Sequence, residues 1–487
     1  MGDTMKPLFL MLAAGLLAAP GAEARRIGQL EFTPCELAQP GTGATLRLEC
    51  ATLEVPEDPT RPEGRRLKLK VGLAPARAAE PAPDPVVFFA GGPGQSATES
   101  WAGVDAGFSR IRAKRHVVFV DQRGTGDGHR LACALPDPQG GAMPDSAQLR
   151  QMASDCLASL DADVAQYTTS VAVKDIEALR LALGAPTLNL YGGSYGTRVA
   201  QEYARQYPQA VRSIILDGVV PPGLALGSEH GINLEAALKA ILGRCSGDDA
   251  CRAAFGDPYR TLYGLRDRVR ATPQTVAARD PRTWAPRELR LDEAAVVSIA
   301  RLFAYAPETA ALMPLLLHEA ASGRPEALVA QAALVYDSLS AQINHGMQLS
   351  VTCAEDAPRL SRREQDEALI LGNAITGVLL DQCEVWPKGP VSPGFHEPLR
   401  TDTPTLLLSG ELDPVTPPRY AEQVLADLGK AAHLVGKGQG HILLNRGCTP
   451  RLAAEFIDKL DPEGLDAGCL DVLGPTPFFL DHNGATP

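Results

Sequence analysis

The sequence predicts an α/β fold in which a mostly parallel central sheet is flanked by helices and carries an inserted helical cap. Short apolar runs recur along the chain, and each ends in a glycine-rich or acidic loop. These runs are 86–89, 116–120, 187–191, 213–216 and 405–408. A helical period over 171–183 separates two of them, and strands that alternate with helices indicate a parallel sheet. Between about 221 and 400 the runs disappear and helical periods dominate, which predicts the cap.

The N-terminus has the pattern of an export signal. Lys6 supplies a positive start, an apolar run covers 8–19, and Ala22-Glu23-Ala24 matches a small-residue cleavage site. We therefore expect residues 1–24 to be a signal peptide and the mature protein to lie in the periplasm or outside a bacterial cell. The apolar run is short for a membrane span, and no later stretch is long and uncharged enough to be one, so stable membrane insertion is not expected.

The mature chain divides into three predicted regions: core residues 25–220, cap residues 221–400 and C-terminal core residues 401–487. In the first region, alternation over 66–74 predicts a half-buried strand, and the continuous apolar run 86–89 predicts a fully buried one. The clearest helical periods of the cap are 293–304 and 326–339.

Bulk composition limits the possible functions. The chain has 487 residues, 45% of them hydrophobic, which is enough for a large core. Its formal net charge of -12, with acidic and basic residues interspersed, lacks the positive surface that nucleic-acid binding needs, so no nucleic-acid partner is expected. The sequence contains no Cys-x-x-Cys or His-x-x-x-His cluster, so we expect neither a metal nor another cofactor. The oligomeric state stays open.

All ten cysteines lie after the predicted signal peptide. An even number in an exported chain favours disulfides, although buried free thiols are the alternative. Loop-closure entropy favours partners that are close in sequence. The predicted pairs are Cys35 with Cys50, Cys133 with Cys156, Cys245 with Cys251, Cys353 with Cys383, and Cys448 with Cys469.

The pattern Gly192-x-Ser194-x-Gly196 directly follows the apolar run 187–191 and precedes a helical stretch at 198–207. This context is typical of a nucleophile elbow, where small residues let a strand turn sharply into a helix and leave the serine hydroxyl exposed. A plain glycine-rich turn is the alternative, and the flanking strand and helix disfavour it. We predict Ser194 as the nucleophile of a serine hydrolase.

A serine hydroxyl needs a histidine to take its proton and an acid to hold that histidine. In enzymes with this elbow, the acid follows the serine in the chain and the histidine follows the acid. Asp413 lies in the loop after the run 405–409, at a strand's carboxyl end, with Glu411 as the competing acid. We predict Asp413.

Three histidines follow the acid. His441 lies in a glycine-rich loop, whereas His433 has the pattern of a strand residue and His482 lies in the C-terminal tail, where mobility would spoil its alignment. We predict His441 as the base. The oxyanion hole should use the amide of Tyr195 and a second amide from the loop after 86–89. Pro93 in that loop has no N–H to donate. Gly91 or Gly92 remains as the second donor, and we prefer Gly92.

These motifs together resemble the proline iminopeptidase and tripeptidyl-aminopeptidase-like branch of the α/β-hydrolases. The resemblance rests on five motifs in order: Gly91-Gly92-Pro93-Gly94, Asp121-Gln122-Arg123-Gly124-x-Gly126, Gly192-Gly193-Ser194-Tyr195-Gly196-Thr197, Gly410-x-x-Asp413-Pro414-Val415-Thr416-Pro417 and Gly440-His441. It implies an α/β-hydrolase fold and the release of residues or short peptides from free N-termini through an acyl-enzyme. One departure is Ala90, where many relatives have His; a backbone amide serves the oxyanion, so we expect activity to survive.

An exopeptidase of this kind must recognise the ammonium group of its substrate, for which cap carboxylates are suited. Glu355 and Asp356 lie in a segment that resembles a Cys-x-Glu-Asp motif of secreted relatives, and they are the predicted substrate-binding pair. A helix-capping acidic pair is the alternative. Asp121 and Arg123 are expected to stabilise the loop beside the site.

The sequence thus predicts a secreted serine aminopeptidase with a peptide substrate. A carboxylic ester hydrolase of the same fold is the first alternative, because the same triad and oxyanion hole serve esters and amides. A catalytically silent binding protein is the second, and the complete set of Ser194, Asp413 and His441 disfavours it.

Overall fold

The structure is a computed structural model that describes residues 24–133, 144–280 and 283–485. The predicted signal peptide, apart from Ala24, lies outside these residues. The strands are β1 (Arg25–Ile27), β2 (Leu30–Ala38), β3 (Thr45–Pro56), β4 (Arg66–Ala74), β5 (Val86–Phe89), β6 (Val117–Val120), β7 (Leu188–Gly193), β8 (Val211–Asp217), β9 (Gln274–Arg279), β10 (Pro286–Leu291), β11 (Thr405–Gly410) and β12 (Ala431–Gly436). In the described part of the chain, ten of them form one sheet in the order β1-β2-β3-β4-β6-β5-β7-β8-β11-β12.

The parallel half of this sheet is where the apolar runs predict it. Strands β6, β5, β7, β8, β11 and β12 are all parallel neighbours. Every residue of β5 and β6 is buried, because helices cover both faces, and this explains why the runs are continuous rather than alternating. The predicted α/β-hydrolase fold with a mostly parallel core is confirmed.

The antiparallel half was largely missed by the sequence analysis. Only β4 was predicted, and β1, β2 and β3 add to it as an antiparallel meander. Thr33 and Pro34 are exposed one after the other in the middle of β2, which breaks the alternation of buried and exposed residues. β4 joins the parallel half by antiparallel pairing with β6, in which Val71 faces Val120.

The helices are α1 (Ala97–Val104), α2 (Ser146–Ser159), α3 (Thr169–Leu183), α4 (Tyr195–Gln206), α5 (His230–Gly247), α6 (Asp249–Phe255), α7 (Pro258–Ala271), α8 (Glu293–Phe303), α9 (Pro307–Ala310), α10 (Met313–Ala321), α11 (Glu326–Gln342), α12 (His345–Glu355), α13 (Ala374–Cys383), α14 (Pro418–Leu425) and α15 (Thr449–Lys459). Alternate residues of β5 enter different cores. Val87 packs with residues of α3 and α4 on one face of the sheet, and Phe88 packs with Trp101 of α1 and Phe456 of α15 on the other.

Helices α5 to α13 form most of the region predicted as the cap. Residues from α5, α7, α8, α10 and α11 bury a hydrophobic core of their own, separate from the two cores at the sheet. The region also contains the antiparallel hairpin of β9 and β10, which the sequence analysis did not predict. β9 has only three consecutive apolar residues, at 276–278, and β10 has Leu289 and Leu291 separated by Arg290, so no long apolar run is present. No helix within 24–133, 144–280 or 283–485 has both the length and the apolar character that crossing a membrane requires.

All five predicted disulfides are present. They join Cys35 to Cys50, Cys133 to Cys156, Cys245 to Cys251, Cys353 to Cys383 and Cys448 to Cys469, with sequence separations from 6 to 30 residues. The described chain therefore has no free thiol.

Candidate active site

Ser194 occupies the sharp turn between β7 and α4. Its backbone has φ 54° and ψ -124°, a conformation that a residue with a side chain rarely adopts. The turn closes only because its neighbours are small: a Cβ atom on Gly192 would lie 2.3 Å from the carbonyl oxygen of Gly196. The amide of Ser194 donates to the carbonyl oxygen of Asp217 at 2.8 Å, which ties the turn to the end of β8. This geometry is that of a nucleophile elbow.

Asp413 and His441 meet in the loops that follow β11 and β12. The Nδ1 atom of His441 lies 2.8 Å from Oδ2 of Asp413. The other carboxylate oxygen accepts the amides of Val415 and Thr416, each at 2.8 Å, and the Thr416 hydroxyl donates to Oδ2 at 2.8 Å. The carboxylate is thus held in one orientation, with the histidine as its remaining partner. Thr416 was not singled out from the sequence.

The environment sets opposite pKa shifts on this pair. Burial would raise the pKa of Asp413, but the adjacent His441 and the two backbone amides outweigh burial and lower it. Burial would lower the pKa of His441, but the charge and hydrogen bond of Asp413 outweigh burial and raise it above 6.5. The pair therefore stabilises a positively charged imidazole, which a proton-accepting histidine needs during catalysis.

Asp217 connects the nucleophile turn to the histidine loop, a link that the sequence analysis did not find. Its carbonyl oxygen accepts the Ser194 amide, and its carboxylate accepts the amides of Leu443 and Leu444, each at 2.8 Å, together with the hydroxyl of Tyr191. Burial is the main cause of a raised pKa for Asp217, about 6. The only sequence signal was an acidic residue at the end of an apolar run.

The loop after β5 approaches the nucleophile closely. A Cβ atom on Gly91 would lie 3.2 Å from Cβ of Ser194, so a side chain there would crowd the site. Gly92 has φ 107° and precedes Pro93 through a cis peptide bond. Tyr195 is the first residue of α4, so its amide has no acceptor within the helix. Gly92 and Tyr195 remain the predicted oxyanion donors.

A segment of the cap braces this loop. Both the amide and the side-chain Nδ2 of Asn344 donate to the carbonyl oxygen of Gly94 at 2.9 Å, and Ile343 forms an isolated β-bridge with Gln95. We call residues 343 and 344 the cap strap. It fixes the loop that carries Gly92 against the cap.

Glu355 and Asp356 lie at the C-terminal end of α12 and are completely buried, with 1% and 0% exposure. Neither carboxylate caps the N-terminus of its own helix, but Glu355 accepts the first backbone amide of α3, so the capping alternative holds for Glu355. Asp356 is occupied by both a buried ion pair with Arg198, at 3.0 and 3.1 Å, and the amide of Leu226. It does not project freely toward a substrate.

Glu355 has a different environment. It accepts the amide of Thr169, the first residue of α3, at 2.6 Å and the Thr169 hydroxyl at 3.0 Å. That hydroxyl also contacts the Tyr195 hydroxyl at 2.6 Å, so two successive hydrogen bonds link Glu355 to the side chain of the residue that follows the nucleophile. Burial, more than the neighbouring Asp356, raises the pKa of Glu355 to about 8 despite the opposing charge of Arg198. Its binding of a substrate ammonium stays a prediction.

Asp121 and Arg123 have the structural role expected of them. Asp121 accepts hydrogen bonds from Ser96 and Thr98 at the start of α1, and Arg123 forms a two-pronged ion pair with Asp175 of α3. Among the described residues, no group of His, Cys, Asp and Glu side chains could hold a metal ion.

Two family models match the chain. The model described as "alpha/beta hydrolase fold" covers residues 84–244, which include Ser194, and the model described as "TAP-like protein" covers 369–469, which include Asp413 and His441. The two matched regions therefore hold the whole predicted triad between them.

Three curated relatives extend this similarity. The chain is 26% identical over 477 residues to serine protease Hip1 of Mycobacterium tuberculosis, which covers 90% of this chain and 91% of the relative. It is 27% identical over 194 residues to tripeptidyl aminopeptidase of Streptomyces lividans, 36% of each chain. It is 30% identical over 135 residues to proline iminopeptidase of Neisseria gonorrhoeae, 28% of this chain and 32% of the relative. The resemblance read from the motifs is confirmed.

Proposed function

We propose that this chain, a serine peptidase of the α/β-hydrolase kind, is an exported aminopeptidase that releases amino acids or short peptides from free N-termini. The observation that carries the proposal is the hydrogen bond between Asp413 and His441, made in loops at the same edge of the sheet where Ser194 occupies a strained strand-to-helix turn. The family matches and the names of the relatives support the peptidase part.

The proposed mechanism uses only groups of this chain and water. His441 takes the proton of Ser194 as the hydroxyl oxygen attacks the substrate carbonyl, and Asp413 stabilises the imidazolium that forms. The amides of Tyr195 and Gly92 bind the oxyanion. His441 then gives its proton to the leaving amine, and water, activated by the same histidine, releases the acyl group from Ser194.

For the free N-terminus we propose Glu355 as the recognising carboxylate. Two hydrogen bonds through Thr169 link it to the Tyr195 hydroxyl. Burial raises its pKa to about 8, and the positive charge of an incoming ammonium would lower that pKa and favour the ionised form. Asp356 contributes indirectly, because it neutralises the buried Arg198 beside Glu355. Export is supported by five disulfides, which persist in oxidising compartments.

The test compares a chromogenic peptide that has a free N-terminus with its acetylated form. We expect the wild type to cleave only the free form, and Ser194→Ala to lower kcat by about 10⁶, as loss of such a nucleophile does. Ser228→Ala is the matched control, because its hydroxyl donates to the carbonyl oxygen of Ala225 in its own turn.

Two results would contradict the proposal in different ways. Equal cleavage of the free and acetylated peptides, or cleavage of simple esters alone, would favour the ester hydrolase. Unchanged turnover in Ser194→Ala would remove Ser194 from the mechanism, provided that the variant has the wild-type unfolding temperature.

A further inference from the structure

The last turn of α8 lies beside the histidine loop. Tyr305, two residues after α8 ends, accepts the backbone amide of His441 at 2.8 Å. Its ring meets the imidazole edge to face, with 5.3 Å between the ring centres. The end of this cap helix is therefore anchored directly on the proposed catalytic base.

Arg301 occupies that last turn, on the side turned away from the cap core. Ile299, Ala300 and Phe303 are buried in the cap core, whereas Arg301 is half-buried. Within the described residues, its guanidinium has neither an ion pair nor a hydrogen bond to protein, unlike the buried Arg198 with its carboxylate partner. A guanidinium that is partly removed from water without a partner is costly, so a ligand that brings its own negative charge would be stabilised there.

A second half-buried group lies on another cap helix that contacts the proposed triad. His230 is the first residue of α5, and Asn233, one turn later, donates to the carbonyl oxygen of Val415 in the loop of Asp413. Burial first, and then the charges of Arg301 and His441, lower the pKa of His230 to about 3. The charge of Arg301 also acts on His441, where it opposes the effect of Asp413. Arg301 and His230 thus lie within electrostatic reach of the base, and His230 stays a neutral hydrogen-bonding imidazole at physiological pH.

The position of Arg301 and His230 relative to His441 decides which part of a substrate would reach these two side chains. His441 must hand its proton to the leaving amine, so the leaving fragment lies next to its imidazole. Glu355, the proposed ammonium ligand, instead lies behind Tyr195 and Thr169. α8 ends at the loop of His441 and α5 contacts the loop of Asp413, so Arg301 and His230 belong to the part of the cap on the leaving-fragment side.

We propose that Arg301 and His230 form an anion subsite that binds a carboxylate of the leaving fragment. This inference rests on the proposed peptidase function and adds a substrate class to it: peptides with a carboxylate close after the cleaved bond. The carboxylate is either the C-terminus of a short peptide or an acidic side chain in the first leaving residue. Arg301 supplies the charge, and His230 supplies one ring N–H.

The experiment uses three peptides with the same free N-terminal part and different leaving residues. The leaving residue is glycine with a free carboxylate, glycinamide, or aspartic acid amide, which separate the C-terminal and side-chain sources. We expect wild-type kcat/KM to favour at least one acidic peptide over glycinamide by about 10- to 100-fold, the range of one charge-assisted hydrogen bond. The preference should appear mainly in KM, because the contact exists before the transition state.

Arg301→Gln should reduce that preference to about one, and Arg301→Lys should keep part of it because the charge remains. The ratio between peptides is the readout, since loss of a charge near His441 shifts the rate on every peptide. Arg260→Gln is the matched control, because it removes an exposed positive charge from α7 of the same cap. It should keep the wild-type ratio.

A wild-type enzyme that cleaves all three peptides equally, or an Arg301→Gln variant that keeps the preference, would overturn the subsite and leave the peptidase function standing. Cleavage of none of the peptides, with simple esters still hydrolysed, would overturn the peptidase function and the subsite together.

Discussion

Asp413 is positioned by several hydrogen-bond donors in addition to His441. The hydroxyl of Thr416 lies 2.8 Å from Oδ2 of Asp413 and 3.1 Å from Nδ1 of His441, so it touches both members of the pair. The amides of Val415 and Thr416 hold the other oxygen. Because every one of these donors favours the ionised form, the carboxylate is kept charged beside the base.

Asp413→Asn should therefore lower kcat by about 10⁴, because the amide cannot hold the required tautomer or stabilise the imidazolium. In the wild type, kcat/KM should fall as the pH drops through a His441 pKa above 6.5, since protonated His441 cannot accept a proton. Without the negative charge of Asp413 that pKa falls, so the acid limb of the residual activity should move to lower pH. A pH–rate profile of both proteins measures the two effects.

Glu411→Gln is the control for this experiment. Glu411 is the competing acid of the sequence analysis, and the structure gives it the amide of Gly438, at 2.7 Å, as its partner. A glutamine oxygen can accept the same bond, so we expect less than a tenfold loss of kcat, in keeping with the small net value of one hydrogen bond. A larger loss in Glu411→Gln than in Asp413→Asn would exchange their roles.

Among single residues, the sequence predicted those that occur in a fixed order along the chain in this class of hydrolase. Ser194, Asp413 and His441 each follow an apolar strand and lie in loops rich in glycine or proline. Asp217 was missed because its role depends on contacts between separate loops. Thr416 lies in the same motif as Asp413, but its contact with His441 joins two loops that the sequence does not bring together. Leu443 and Leu444, which donate to Asp217, are more than 220 residues away in the chain.

Among the structural elements, the cap strap joins two regions that are far apart in sequence. Asn344 donates twice to Gly94, 250 residues earlier, and α12 begins directly after it. The loop after β5 is thus held from the cap side, and it passes close to Ser194 on the core side, where a Cβ atom on Gly91 would lie 3.2 Å from Cβ of Ser194. The position of the second oxyanion donor depends on both.

Asn344→Ala should loosen this loop and lower kcat by about 10- to 100-fold, the order expected when a donor near the reacting atoms is misplaced by about 1 Å. The loss should be equal for peptide and ester substrates, because both need the oxyanion hole. Gln342→Ala is the control, because its side-chain amide donates to Ser338 within α11 and not to the loop after β5. A loss restricted to peptides would show that Asn344 acts on the substrate amine rather than through the loop.

Strands and helices could be predicted from the sequence where their burial leaves a simple pattern of apolar residues. Fully buried parallel strands such as β5 and β6 give continuous apolar runs, and amphipathic helices such as α8 give a clear period. β1 has only three residues, β2 has two successive exposed residues at Thr33 and Pro34, and the hairpin of β9 and β10 has few apolar residues, so these strands give weak patterns. β3 does alternate buried and exposed residues over 51–55, but no strand was predicted from this short alternation. Their pairing is decided by partners that a local pattern does not contain.

At the scale of the whole molecule, the disulfides close loops of different lengths and should contribute different amounts to the free energy of unfolding. The Cys353–Cys383 bridge closes a separation of 30 residues and ties α12, which carries Glu355, to α13. The Cys245–Cys251 bridge closes only 6 residues between α5 and α6. All four cysteines are buried, so their replacement by alanine removes similar packing in both places.

Replacing both cysteines of the longer bridge with alanine should therefore destabilise the protein more than replacing those of the shorter one. Loop-closure entropy gives about 3 to 4 kcal/mol for the 353–383 loop and about 2 kcal/mol for the 245–251 loop. Thermal unfolding of the two double variants, followed by circular dichroism on oxidised protein with no titratable thiol, measures the order. A lower unfolding temperature of the 245–251 variant would show that these bridges do not act mainly by constraining the unfolded chain. The main contribution of the Cys245–Cys251 bridge would then be its local support of α5, the helix that carries His230.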